Sequence, residues 1–116
     1  MKEITIDGVV YVPKGQATPE LDGMKYCIVR TYSAGVFAGY VESRNGKEVV
    51  IRKARRLWYW EGAASLSQLA MSGTSKPDNC KFPEDMETVT VTEAIEIIEC
   101  TLAAKDSIKG VKIWKE

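Results

Sequence analysis

The sequence predicts an α+β fold: a twisted antiparallel β-meander with two short helices, preceded by an N-terminal β-hairpin. Three observations predict it. Runs of β-branched and aromatic residues follow one another with short turns between them. Two of the junctions, Asp7-Gly8 and Asn45-Gly46, carry the residue pairs that accept the positive φ of tight hairpin turns. Apolar residues three and four apart, the helical spacing, mark Ala63–Met71. With 116 residues and 12.9 kDa, the chain has room for one hydrophobic core and little room for a second.

Ile4-Thr5-Ile6 and Val9–Val12 flank Asp7-Gly8 and read as a hairpin over residues 1–12. Such a hairpin alone is marginal in water. Residues 13–23, with Pro13, Gly15, Pro19 and Gly23, read as a linker. A single ligand-binding domain is expected over 24–116. Met24–Arg30 is its first strand, Thr31–Gly35 a turn and Val36–Ser43 the second strand. After Asn45-Gly46 a long third strand, Lys47–Trp60, completes the meander. Val49 and Ile51 share one face of it, whereas Trp58 and Trp60 have the other parity. A bulge at Lys53-Ala54 is the simplest device that switches the apolar face. Gly39, inside the second strand, marks a bend or a close backbone approach.

Glu61-Gly62 ends the meander. The Ala63–Met71 helix follows, with Gly73 as its stop and a loop from Thr74 to Pro83. Met86–Val91 and Ala94–Cys100 read as strands. Thr101 caps a helix over Leu102–Lys109, and Val111–Trp114 is a last strand. Leu66, Leu69, Val49 and Ile51 are expected in the core.

Sixteen Lys+Arg balance sixteen Asp+Glu, which counts against a dedicated nucleic-acid binder. Histidine is absent. The commonest general base, the histidine-activated nucleophiles and the commonest transition-metal ligand go with it, so neither an enzyme nor a cofactor is expected. Cys27, Cys80 and Cys100 are far apart and read as free thiols of a reducing compartment. No apolar run of about 18 residues predicts a membrane span. The N-terminus has no apolar signal region, so a cytoplasmic protein is expected.

Three segments combine residue types suited to an anionic ligand. Arg55 and Arg56 precede Trp58, Tyr59 and Trp60. Guanidinium forks bind phosphate in bidentate fashion, and indole and phenol rings stack on bases. On a strand Arg56, Trp58 and Trp60 share one face, and Arg55, Leu57 and Tyr59 the other. Aromatic core residues with arginines on a solvated edge would give the same pattern. Gly62, Ala63 and Ser65 lead into a helix, where unpaired N–H groups and small side chains admit an anion; ordinary capping by Ser65 is the plainer role. Ser33, Ala34 and Gly35 form the tip of the first meander hairpin, with Phe37 close behind, and such a tip can present backbone N–H groups as an anion nest. A simple turn is the alternative.

The runs Arg30–Tyr40, Ala54–Trp60, Gly62–Ala70, Cys80-Lys81-Phe82 and Ala94–Ile98 resemble, in this order, a family of small phage and prophage proteins described only as a domain of unknown function. The resemblance covers Met24 to the C-terminus. The family in turn looks like the viral anti-defence sponges of the Thoeris-inhibitor type. Those non-enzymatic proteins assemble from dimers into hexamers and sequester cyclic ADP-ribose-type signals and cyclic oligonucleotides of bacterial immunity. The resemblance implies a cyclic nucleotide signalling ligand, a dimer-based homo-oligomer up to a hexamer, and no cleavage of the ligand. It departs at the C-terminus, where this chain offers Lys105, Lys109 and Lys112 rather than arginine. A single-stranded nucleic-acid binding module and a virion or assembly accessory protein are the competing readings.

Overall fold

The computed structural model describes the backbone of residues 4–6, 9–11 and 17–116, and the side chains of 17–116. β1 (Ile4–Ile6) and β2 (Val9–Tyr11) form a separate two-stranded sheet, with Ile6 opposite Val9. This is the expected N-terminal hairpin; its turn residues Asp7 and Gly8, Val12, and residues 13–16 of the linker lie outside the described residues.

The main sheet is six-stranded and runs β3 (Glu20–Leu21), β4 (Met24–Thr31), β5 (Val36–Asn45), β6 (Glu48–Arg56), β7 (Met86–Val91), with β8 (Ala94–Glu99) also on β4. Every named pairing is antiparallel. The expected α+β meander is therefore the fold. The linker expectation overlooks one hairpin signal: Asp22-Gly23 takes the left-handed conformation at both residues (φ 51° and 81°) and turns β3 onto β4. At the β5–β6 hairpin Asn45 stays in β5, and Gly46 (φ 62°) takes the first turn position.

β7 and β8 are joined by Thr92 and Glu93 alone, yet they pair with opposite sides of the meander. In a flat sheet four strand spacings would separate them by about 19 Å. Three residue steps reach only about 11 Å. The sheet must therefore roll until its edges meet. Two hydrogen bonds fix the seam: the Ala94 amide donates to Lys47 O, and the Tyr32 amide to Glu93 O, each at 2.9 Å.

The bulge expected at Lys53-Ala54 helps the sheet coil. Ala38 pairs with Arg55 and Tyr40 with Arg52, so Lys53 and Ala54 together oppose Gly39. Lys53 is left-handed (φ 51°), as the first residue of such a bulge often is. A second irregularity, at Val41/Ser43, falls in the same strand pair.

Rolling the sheet makes two cores. Val29 of β4 packs with Val49, Ile51 and Ala54 of β6 and Val91 of β7 inside the curl, although those strands are not all neighbours. The outer face carries Tyr26, Ile28, Ala38 and Leu57, and it is covered by α1 (Leu66–Ser72) and α2 (Leu102–Gly110) through Leu69, Ala70, Ala104 and Ile108. Of the four expected core residues, Leu69, Val49 and Ile51 are fully buried and Leu66 is partly buried. α1 starts three residues later than the sequence suggests, because Ser65 is its N-cap. Thr101 caps α2, and Gly73 (φ 74°) ends α1, as expected.

One expected strand is shorter and another does not form. β6 ends at Arg56, so Trp58 and Trp60 lie beyond it; the Leu57 amide makes the last bond to β5, to Val36 O at 2.8 Å. Val111–Trp114 is not a strand. It makes one parallel bridge, Ile113 with Phe82, because Phe82 belongs to a loop that offers no longer edge.

Candidate ligand-binding surface

Arg55 and Arg56 are neighbours in sequence and opposites in environment. On the outer face, Arg55 is 3 % exposed. Its Nη1 donates to Ile108 O (2.8 Å), Nη2 to Phe82 O (3.1 Å) and Nε to Pro83 O (3.1 Å). Burial pulls its pKa below the usual guanidinium value, a shift opposed by Asp85 nearby. Three of the five N–H donors of this fork are thus committed to main-chain carbonyls of its own chain. Arg56 lies on the inner face, with its guanidinium 4.6 Å from the centre of the Phe37 ring. Phe37 is itself buried beneath it and is not presented to a ligand. The Arg56 side chain makes no hydrogen bond or ion pair among the described residues, so its fork is available.

The hairpin tip is closed by its own chain. Thr31 Oγ1 donates to Gly35 O and accepts the Ala34 amide, and the Thr31 amide also bonds Gly35 O. One N–H of the expected nest is thus spent. Ser33, Ala34 and Gly35 remain exposed, as does Tyr32 at 76 %. Register brings Arg56 and the 65 %-exposed Trp58 to the same end of the sheet as this tip.

The Gly62–Ser65 helix entry is occupied by structural roles. A side chain on Gly62 (φ 84°) would meet Lys76 N and Thr74 Oγ1 at 2.5 Å. Small size here admits the chain's own loop. Ser65 Oγ accepts the Gln68 amide, and Gln68 Oε1 accepts the Ala64 amide, a reciprocal cap related to the capping box. Ala63 and Trp60 pack against the outer core.

Tyr59 leads to a second set of residues. It exchanges two backbone bonds with Lys81, which places Lys81 beside its ring. The Lys81 ammonium lies 5.8 Å from the Tyr59 ring centre and 5.6 Å from that of Trp114. Both rings are near half-exposed, and with Glu61, Asp78 and Asn79 they line an open recess of about 530 Å³, a size in the range of small-molecule sites. Glu61 organises one wall: Tyr59 Oη donates to its Oε2 (2.7 Å) and Asn79 Nδ2 to its Oε1 (3.2 Å). These bonds hold the Glu61 carboxyl below its usual range, while the same bond pushes the Tyr59 phenol up.

Sequence reasoning found Tyr59 but missed Lys81, Glu61, Asn79 and Trp114 as partners. The run Cys80-Lys81-Phe82 was legible, but its pairing with Tyr59 spans more than twenty positions and leaves no local pattern. Among the described residues no cluster of three His, Cys, Asp or Glu could hold a metal ion, and no helix is long and apolar enough to cross a membrane.

No curated protein and no solved structure matches the chain. A family model does match, over residues 24–108, from the first strand of the meander to the last helix. The chain therefore belongs to the family of that model, a domain of unknown function (DUF6948).

Proposed function

We propose that this chain is a phage anti-defence sponge, which binds a cyclic nucleotide immune signal of the cyclic ADP-ribose or cyclic oligonucleotide class and holds it without cleavage. The observation that carries the reading is the recess in which the Lys81 ammonium sits between the exposed rings of Tyr59 and Trp114. A nucleotide needs a flat apolar surface for its base and fixed positive charge for its phosphates, and base–aromatic stacking contributes about 1–3 kcal/mol per base. Arg56 and Trp58 precede Tyr59 in the chain, outside the lining of the recess, and offer a second cation and a second ring. The resemblance to the Thoeris-inhibitor sponges supplies the ligand class.

The recess is open to solvent, and large apolar side chains that line it (Tyr59, Trp114) or precede these in the chain (Trp58, Ile113) are exposed. A homo-oligomer in which a second copy closes over the bound ligand fits both facts. The protein then works in the cytoplasm of the infected host, where the signal is made.

Thermal shift with cyclic ADP-ribose isomers, cyclic di- and trinucleotides and their linear counterparts tests the reading. Ligands that bind only the native state raise Tm with concentration. The expected result is a shift with at least one cyclic compound, a smaller shift with its linear form, and intact ligand after heat release. No shift with any cyclic compound, or release of a hydrolysed product, overturns it.

A further inference from the structure

Both ends of the C-terminal segment that carries Trp114 refer back to one side chain. At its start, Arg55 Nη1 donates to Ile108 O in the last turn of α2 (2.8 Å), where a cation also meets the negative end of the helix. At its end, the Trp114 amide donates to Phe82 O (3.0 Å), and the same carbonyl accepts Arg55 Nη2 (3.1 Å). A third bond, from Nε to Pro83 O (3.1 Å), fixes the residue after Phe82. The guanidinium also lies 5.5 Å from the centre of the Phe82 ring. Phe82 follows Lys81 directly, so the carbonyl that Arg55 holds sets the positions of both Lys81 and Trp114.

We propose that Arg55 is the positioning residue of the recess. It never touches the ligand; through the Phe82 and Ile108 carbonyls it holds the Trp114 ring beside Lys81. The inference rests on the reading of the recess as the ligand site. The fork is what matters: five N–H donors in one plane can serve three carbonyls, whereas a lysine ammonium is a point charge without that geometry. Asp85, 3.8 Å from Nε, is the one carboxylate paired with it among the described residues.

The test follows backbone amide exchange by NMR. In Arg55→Lys the Trp114 amide, bonded to Phe82 O, should exchange with solvent at least ten-fold faster, while the Ala94 amide, bonded to Lys47 O at the seam of the sheet, keeps its rate. Affinity for cyclic ADP-ribose should fall at least ten-fold, whereas Arg52→Lys, on the same strand and outside the recess, leaves it unchanged. Unchanged Trp114 exchange in folded Arg55→Lys overturns the proposal. Faster Trp114 exchange with unchanged affinity upholds the positioning and removes the recess as the ligand site. If Arg55→Lys does not fold, the unmodified protein decides: the Arg55 guanidinium protons and the Trp114 amide should exchange through one shared opening under mild denaturant. A Trp114 amide that opens while the Arg55 protons stay protected overturns the proposal as well.

Discussion

Gly39 lies so close beneath Ala54 that a Cβ on Gly39 would sit 3.0 Å from the Ala54 Cα, with Ile51 Cγ2 at 2.7 Å and Arg52 O at 2.9 Å. Two strands approach this closely because Lys53 and Ala54 bulge over a single residue of β5. The sharp coil of the sheet, and with it the inner core of Val29, Ile51 and Val91, depends on the absence of a side chain at that one position.

Gly39→Ala is therefore expected to destabilise the protein by about 1–3 kcal/mol, the range for overpacking a filled core. Backbone atoms form part of the clash, so a rotamer change alone cannot relieve it. Urea unfolding measures the effect; a midpoint equal to that of the parent protein removes the close-approach account.

Lys53 should respond in the opposite way. Its φ of 51° suits glycine and disfavours a β-branched side chain. Lys53→Gly is expected to stabilise by up to about 1 kcal/mol, because it relieves the left-handed penalty that every L-residue with a Cβ carries, whereas Lys53→Val keeps that penalty, adds β-branch crowding and destabilises. Equal losses in the two variants would mean that the lysine side chain, and not its backbone, matters at the bulge.

The two helix caps should rank unequally. Ser65 Oγ makes one cap bond, to the exposed Gln68 amide. Thr101 Oγ1 accepts the Ala104 amide and also donates to Met71 O at 2.8 Å, so it ties α2 to the end of α1 in a buried setting. Ser65→Ala should cost about 1 kcal/mol. Thr101→Ser, which keeps both bonds, should cost less than Thr101→Ala, and Thr101→Ala more than Ser65→Ala. Melting temperatures of the three variants at neutral pH check the order.

Alkaline pH should weaken the fold through its buried thiols. Burial pushes Cys100 up to about 12 and Cys27 up to about 11, from an ordinary 9.0. The unfolded chain loses these protons near pH 9 while the native state keeps them. Their contribution to stability is thus complete below pH 9 and is lost as pH rises through 11 and 12. The Tyr26 phenol is also pushed up by burial, in the same direction. At pH 8 neither thiol should react with Ellman's reagent until the protein unfolds. The fall in denaturation midpoint from pH 8.5 to 10.5 should be shallower in Cys100→Ala than in the parent; an unchanged slope would clear Cys100 of any part in it.

For ligand binding the recess and Arg56 separate cleanly. Lys81→Gln and Trp114→Ala should each weaken the cyclic nucleotide by at least ten-fold, about 1.4 kcal/mol, with little change in stability because Lys81 is exposed and Trp114 is about half-exposed. Arg56→Ala should weaken it less if the second cation only assists. Calorimetric titration with the ligand found by thermal shift reads all three, and full affinity in both Lys81→Gln and Trp114→Ala would move the site to the Arg56–Trp58 end of the sheet.

The sequence by itself determined what a few neighbouring residues decide. Gly46 turns the β5–β6 hairpin, Gly73 stops α1 and Thr101 caps α2, because φ preference and a hydroxyl one turn away act locally. The Lys53 bulge was legible too, since a one-residue insertion shifts the apolar parity of everything that follows it. Only the tertiary structure decided which arginine is buried. Arg55 and Arg56 are the same residue type on one strand, and the carbonyls that claim Arg55 lie 27, 28 and 53 positions away. The recess has the same origin, for Tyr59, Lys81 and Trp114 meet only once the loop and the C-terminal segment have docked. So does the rolled sheet, because a two-residue link between β7 and β8 forces the edges together only when β8 chooses β4 as its partner. Long-range pairings of this kind are selected by packing and by the need to satisfy buried polar groups, and these act between residues that share no neighbourhood in the chain.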